Sequence, residues 1–398
     1  MSTELACNCR GTPSFEDDVA FLRGRVDVII LSDEFGESQV AVVPAYQGRV
    51  ITSTATGPRG RGFGWINREL IASGRREPHI NAYGGEDRFW LGPEGGQYSI
   101  FFAPGVPFDF DHWYTPPPID TEPFELKKTT PRSVVCSRTF AVTNYSKTHF
   151  HLEVKREVRL LNGNDVLTRF GTSIPKNLKW VAFESVNVLR NAGSEPWRPE
   201  TGLLSIWILG MFNATEHTTV VIPINEGPEE LLGPPVNDAY FGQVPTNRLA
   251  VKNGVVYFRA DARYRSKIGV GPKRAKRVFG SYDRTGNLLT LVTFTFPGNA
   301  ARYVNSTWGL QKDPYGGDVI NSYNDGPATP GGKGLGNFYE LETSSPALAL
   351  KPDEEACHVH TTLHLHGDEP KLDEMARSVL GAPISEICCA LPAETLKP

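Results

Sequence analysis

The segment CHVHTTLHLHG, residues 357–367, places His358, His360, His364 and His366 at one parity and Val359, Thr361, Leu363 and Leu365 at the other. These are four of the nine histidines in the chain. Period-two alternation is the pattern of a β-strand, whose successive side chains point to opposite faces. One face would carry the imidazoles with Thr362, while the other packs on a core. Imidazoles at i and i+2 stand about 6–7 Å apart along a strand. They could converge on one ion, with a carboxylate from a neighbouring strand completing an open site. By ligand type the ion would be zinc or manganese, held by His358, His360 and His364, with His366 free at the strand end before Gly367. The same array also suits a concave wall whose histidines hydrogen-bond each other and a ligand, or a plain solvated face. Val359, Leu363 and Leu365 are expected between the sheets, which sets the imidazoles on the cleft side.

Carboxylates for such a site are at hand in FYELETSSPALAL, residues 338–350, where Glu340 and Glu342 share a face opposite Tyr339 and Leu341. Paired carboxylates on an apolar strand can act as base and orienter or as metal ligands, or can simply face solvent on an edge strand. INAYGGEDRFWLGPEGGQYSIFF, residues 80–102, mixes glycine pairs with Glu86, Asp87, Arg88, Trp90 and Glu94. A sugar site needs that combination: close backbone approach, an aromatic stacking face and charged groups for bidentate bonds to hydroxyls. A tight turn with a structural Arg–Glu bridge would use the same residues. Asn324 and Asp325 in NSYNDGP are turn formers that could also bind hydroxyls. No P-loop, GxSxG elbow or HExxH occurs. The one basic run, YRSKIGVGPKRAKR (264–277), lacks interleaved stacking aromatics, so nucleic acid is not an expected partner.

These residues need a scaffold. With 398 residues, 39 glycines, 31 prolines and a net charge of −4, the chain has the composition of a β-rich domain without a polyelectrolyte partner. Strand-like segments fall at 26–31, 40–43, 50–55, 98–102, 134–142, 150–161, 180–190, 203–211, 218–224, 288–296, 338–343 and 357–365, without β-α alternation or a fixed repeat. Two short helices bracket them: TPSFEDDVAFLRG, capped by Ser14 and stopped at Gly24, and PKLDEMARSVLG, ending at Gly381. The expected architecture is one large antiparallel β-sandwich domain over residues 1–398, mainly β, with helix confined to short segments near the ends. Six cysteines without CxxC spacing are expected as free thiols. ELACNC around Cys7 lacks the basic and apolar regions of a leader, and no apolar run approaches a bilayer span. The expected location is the cytoplasm, or the periplasm or outside if a signal peptide was trimmed.

GGEDRFWLGPEGGQYSIFF, GLLSIWILGMF, NSYNDGP and FYELETSSPALAL…HVHTTLHLHG together resemble, across nearly the whole chain, a bacterial family of unknown function with a galactose-mutarotase-like β-supersandwich. YELETSSPALALKPDEEACHVHTTLHL is also similar to the C-terminal segment of aldose 1-epimerases, whose Leu-Glu-Thr strand carries the general base. That resemblance places the base at Glu342. The epimerases take a histidine acid from an earlier strand, and the corresponding strand here is GLLSIWILG, with Trp207 and no histidine.

Two functions follow as expectations. One is a carbohydrate-active enzyme working by proton transfer in a concave cleft, by epimerisation or elimination/hydrolysis, with metal assistance from the histidine strand as an option. Glu342 and Glu340 would be catalytic, with Arg88, Trp90, Glu86, Asn324 and Asp325 binding substrate. The other is a carbohydrate-binding protein using the same cleft without turnover; a structural protein with a satisfied polar core stands as the alternative to both.

Overall fold

The computed structural model describes residues 13–298, 300–329 and 331–392. Two antiparallel sheets dominate it. The larger has ten strands, in the order Leu249–Lys252, Val255–Arg259, Thr218–Pro223, Val278–Asp283, Leu288–Phe294, Glu355–His366, Lys179–Asn191, His149–Leu160, Ser133–Thr143 and Glu125–Thr130. The smaller has five: Ser266–Val270, Ile320–Asn324, Phe338–Ser344, Ser205–Asn213 and Arg88–Gly92. A third sheet, Ile29–Ser32, Gln39–Val43 and Arg49–Thr54, joins the same core through Leu31, Val40, Val42 and Val50.

Strand alternation decides what fills the space between the sheets. Ile268, Tyr339 and Leu341 from the five-stranded sheet pack with Phe258, Phe279, Val292 and Phe294 from the ten-stranded one. Phe89, Leu91, Ile206 and Ile208 pack similarly with Leu152, Val154, Phe183 and Leu189. The other face of the five-stranded sheet is thereby turned outward. The far face of the large sheet is also covered, because Leu289, Leu291, Leu363 and Leu365 pack beneath Leu372, Met375, Val379, Ile384 and Ile387 of the C-terminal helices Glu369–Leu380 and Ile384–Cys389.

Both expected helices are present. Ser14 caps Phe15–Arg23 through a reciprocal pair of bonds with Asp17, and Gly381 ends Glu369–Leu380 at φ 69°. Helix is not confined to the ends, however. Gly163–Phe170 forms mid-chain behind an Asn162–Asp165 capping box, a start signal that the polar sequence conceals. The segment 98–102 is not a strand. Its phenylalanines enter the core from a loop, Phe101 stacking on Trp113 at 5.7 Å. Cys136, Cys357, Cys388 and Cys389 are free thiols, whereas Cys7 and Cys9 lie outside the described residues. Among the described residues no helix is long and apolar enough to cross a membrane.

Candidate functional site: a charged, aromatic cleft on the five-stranded sheet

The register aligns Asn321, Glu342, Leu209 and Arg88 in one row across the outward face, and Tyr323, Glu340 and Met211 in the next. Lys267, opposite Tyr323, extends the second row to the sheet edge, and Trp207 faces Trp90 at the other end. Arg88, Trp90, Trp207, Lys267 and Glu340 line a cavity of about 640 Å³ together with loop residues that include Glu94, Trp113 and Trp308. That volume falls within the usual range for small-molecule sites, about 300–1,000 Å³. Trp90 meets Trp207 edge-on at 5.5 Å, and Trp113 stacks on Trp308 at 6.1 Å.

Two buried ion pairs cross the floor. Arg88 Nη2 donates to Glu340 Oε1 at 3.0 Å, its guanidinium lying 4.2 Å above Trp90. Lys267 Nζ and Trp207 Nε1 both donate to Glu342 Oε2, at 3.1 and 2.9 Å. Burial pushes the Glu340 carboxyl up to about 8; Arg88 opposes this, and the negative charge of Glu342 reinforces it. The charge of Glu342 thus favours the protonated form of Glu340, and the two carboxyls behave as a dyad. Burial disfavours the Lys267 ammonium, but Glu342, Glu94 and Glu340 outweigh it and hold its pKa above the ordinary value. Glu342 is fully buried and is not among the residues lining the cavity, and its Oε1 has no partner among the described residues.

Of the expected site residues, the cleft gathers Arg88, Trp90, Glu340 and Asp325, with Glu342 beneath its floor. Asp325 stands at the rim, accepting from Tyr323 Oη and Gly336 N at 2.8 Å each. Asn324 is of the opposite parity and is spent on backbone: it accepts from Ala262 N and donates to Tyr264 O, both at 2.8 Å. Glu86 turns inward as well. Gly84 and Gly85, at φ 95° and 108°, bring the chain so close to Trp65 O and Val50 O that a Cβ would collide there. The strand takes up its cleft-facing alternation only from Arg88.

The histidine array does not reach the cleft. His358, His360 and His364 are fully buried between the two sheets, Leu363 and Leu365 lie under the C-terminal helices, Val359 is half-buried and His366 is exposed. The leucines find their core on the outer face because the helices supply one, which leaves the polar parity for the inner layer. His364 Nε2 bonds Glu86 Oε2 at 2.7 Å, with Nδ1 against Thr290 Oγ1 at 2.9 Å. His358 Nε2 and His360 Nδ1 both meet Thr343 Oγ1 at 2.9 Å. One hydroxyl proton cannot serve both rings, so one imidazole donates to the Thr343 oxygen while the other accepts. Among the described residues no group of three or more His, Cys, Asp or Glu is arranged to hold a metal ion.

Sequence reasoning missed Lys267, which stood in a basic run with no assigned role, and gave no individual role to Glu94, whose carboxyl accepts from Trp308 Nε1 at 3.2 Å and is raised by burial. Period-two alternation of Arg265, Lys267 and Gly269 was the available signal. Tyr240 and Asp318, bonded to each other at 2.6 Å behind Lys267, carried none.

A family model of unknown function, DUF6786, matches residues 13–391. The chain belongs to this family. Sequence comparison of this DUF6786 member with curated proteins gives no match. Its fold is that of galactose mutarotase-like proteins. Over 90% of its length and 99% of the other chain it is similar to the Slr1438 protein of Synechocystis sp. PCC 6803, with a TM-score of 0.50 at 13% identity. A putative aldose 1-epimerase from Escherichia coli K12 also gives 0.50, at 11% identity, over 86% of this chain and 99% of that one.

Proposed function

We propose that this protein binds a sugar in the cleft and moves protons on it through the Glu340–Glu342 dyad. The observation that carries this reading is a carboxyl pair beside two cations in an aromatic cavity, with Glu340 poised to hold its proton at neutral pH. Tryptophan faces stack on the apolar faces of sugar rings, while Arg88 and Lys267 supply donors to hydroxyls. Trp90 Nε1 and Trp113 Nε1 are buried and have no partner among the described residues. Ring opening needs one proton delivered to the ring oxygen as the C1–O bond breaks and one removed from the anomeric hydroxyl. Protonated Glu340 gives the first, and a water in the cleft takes the second, while the charge of Glu342 beneath the floor sets the proton affinity of Glu340. Ring closure on the other face of the carbonyl returns both protons and yields the other anomer. The likeness of fold to a putative aldose 1-epimerase is compatible with this chemistry.

The second reading is sugar binding without turnover, and the burial of Glu342 beneath Trp207 and Lys267 favours it. One experiment separates the two. Aldoses that raise the melting temperature are followed by NMR for anomer interconversion, with wild type and Glu340→Gln. Proton-transfer catalysis predicts acceleration that falls at least ~100-fold in the variant. Binding with no acceleration supports the second reading, and no aldose bound refutes both.

A further inference from the structure

Arg265 immediately precedes the edge strand Ser266–Val270 and shares the parity of Lys267, so both project onto the cleft face. Its guanidinium lies 4.1 Å over the Phe241 ring. Unlike the two cations of the floor, it makes no hydrogen bond or ion pair among the described residues. Arg88 is held by Glu340, and Lys267 by Glu342. Asp325 and Glu94 feel the charge of Arg265, but Asp325 is bonded by Tyr323 and Gly336 and Glu94 by Trp308. With each floor cation hydrogen-bonded to a carboxyl of its own, a half-buried planar fork of donors is left facing the cavity. A guanidinium resting on an aromatic ring is pre-organised for a carboxylate, which it can bind through two parallel bonds.

We propose that the ligand of this cleft is a sugar acid whose carboxylate is bound by Arg265. The inference rests on the sugar reading above and adds to it the charge of the substrate. A single unspent guanidinium matches a monoanion. A phosphate dianion would draw on a second buried cation, and the remaining one at the rim, Lys333, is exposed on a loop. Burial raises the carboxyls of Glu94 and Asp325, and the charge of Arg265 opposes this in both.

The test compares sugars that differ only in charge. Calorimetric titration of the full chain uses D-glucuronate and D-galacturonate, their methyl esters, glucose, galactose and glucose 6-phosphate, on wild type, Arg265→Gln and Arg265→Lys. At least one uronate should bind at least about tenfold more tightly than its own ester, the scale of one charged hydrogen bond. Arg265→Gln should bring that ratio close to one, and Arg265→Lys should restore part of it. Equal binding of acid and ester by wild type, or a ratio that survives Arg265→Gln, overturns the inference and leaves the sugar reading standing. Tighter binding of glucose 6-phosphate than of either uronate overturns the choice of carboxylate. Binding of none of these sugars overturns the inference and the sugar reading together.

Discussion

His358 and His360 make the stability of the fold depend on pH in a way that can be isolated. Burial holds both imidazoles neutral, lowering His358 to about 3 with the neighbouring His360 adding to the effect, and lowering His360 to about 4. In the unfolded chain each returns to the ordinary value of about 6.5. Between those limits the unfolded state binds more protons, so stability is fully present above pH ~6.5 and is lost as pH falls towards 4 and 3. At pH 5 each site has lost about 1.5 units at 1.36 kcal/mol, or about 2 kcal/mol, and the pair about 4 kcal/mol. Total stabilities are commonly about 5–15 kcal/mol, so this is a large share. Two buried carboxyls act in the opposite direction. Glu340, raised to about 8, and Asp18, raised to about 6 by burial, gain protons in the native state as pH falls. The measurement is therefore a difference. Urea unfolding is followed from pH 7.5 to 5 for wild type and for His358→Gln/His360→Asn, whose amides can still reach Thr343 but do not titrate. Wild type should lose about 4 kcal/mol more than the variant over that interval. Parallel profiles would show that the two imidazoles are not held neutral by burial.

Other outcomes follow from the same geometry. Arg156→Met leaves Asp87 charged and unpaired where both side chains are fully buried, and should cost about 3–5 kcal/mol in urea unfolding, much of it recovered by Arg156→Met/Asp87→Leu. If Glu340 supplies the proton, anomer interconversion should decline as pH rises through about 8, and Arg88→Gln should move that decline to higher pH by removing the charge that opposes protonation. Zinc or manganese added to chelator-treated protein should leave the melting temperature unchanged, because His358 and His360 converge on the Thr343 hydroxyl. A rise that disappears in His358→Ala/His360→Ala would instead place an ion on their unpartnered nitrogens.

The long alternating segments were legible as strands, and Glu340 with Glu342 could be read as one face of Phe338–Ser344 from parity alone. Arg88 and Trp90 were legible as residue types suited to a ligand. Parity could not say which face of a strand meets solvent, because Glu355–His366 is covered on both sides and its leucines have a helical layer of their own. Nor could local sequence show that Ser266–Val270 and Ile320–Asn324 pair to extend the cleft floor. The first read as a basic run and the second as a turn, and only long-range pairing makes them strands. Glu86 was misplaced by two glycines whose close backbone contacts depend on residues some 20 to 35 positions earlier.

Thr343 lies on the reverse side of the strand that carries Glu340 and Glu342, bridging two imidazoles of the facing sheet. A shift of that strand by one residue would turn Thr343 into the cleft and drive both carboxylates into the layer of His358 and His360. Apolar side chains tolerate such slips, since one aliphatic neighbour resembles another. A hydroxyl with one proton and two waiting nitrogens does not. The histidine pair thus works as a key that admits a single alignment of the strand carrying Glu340 and Glu342, and chains that settle out of alignment during folding forfeit both bonds at once.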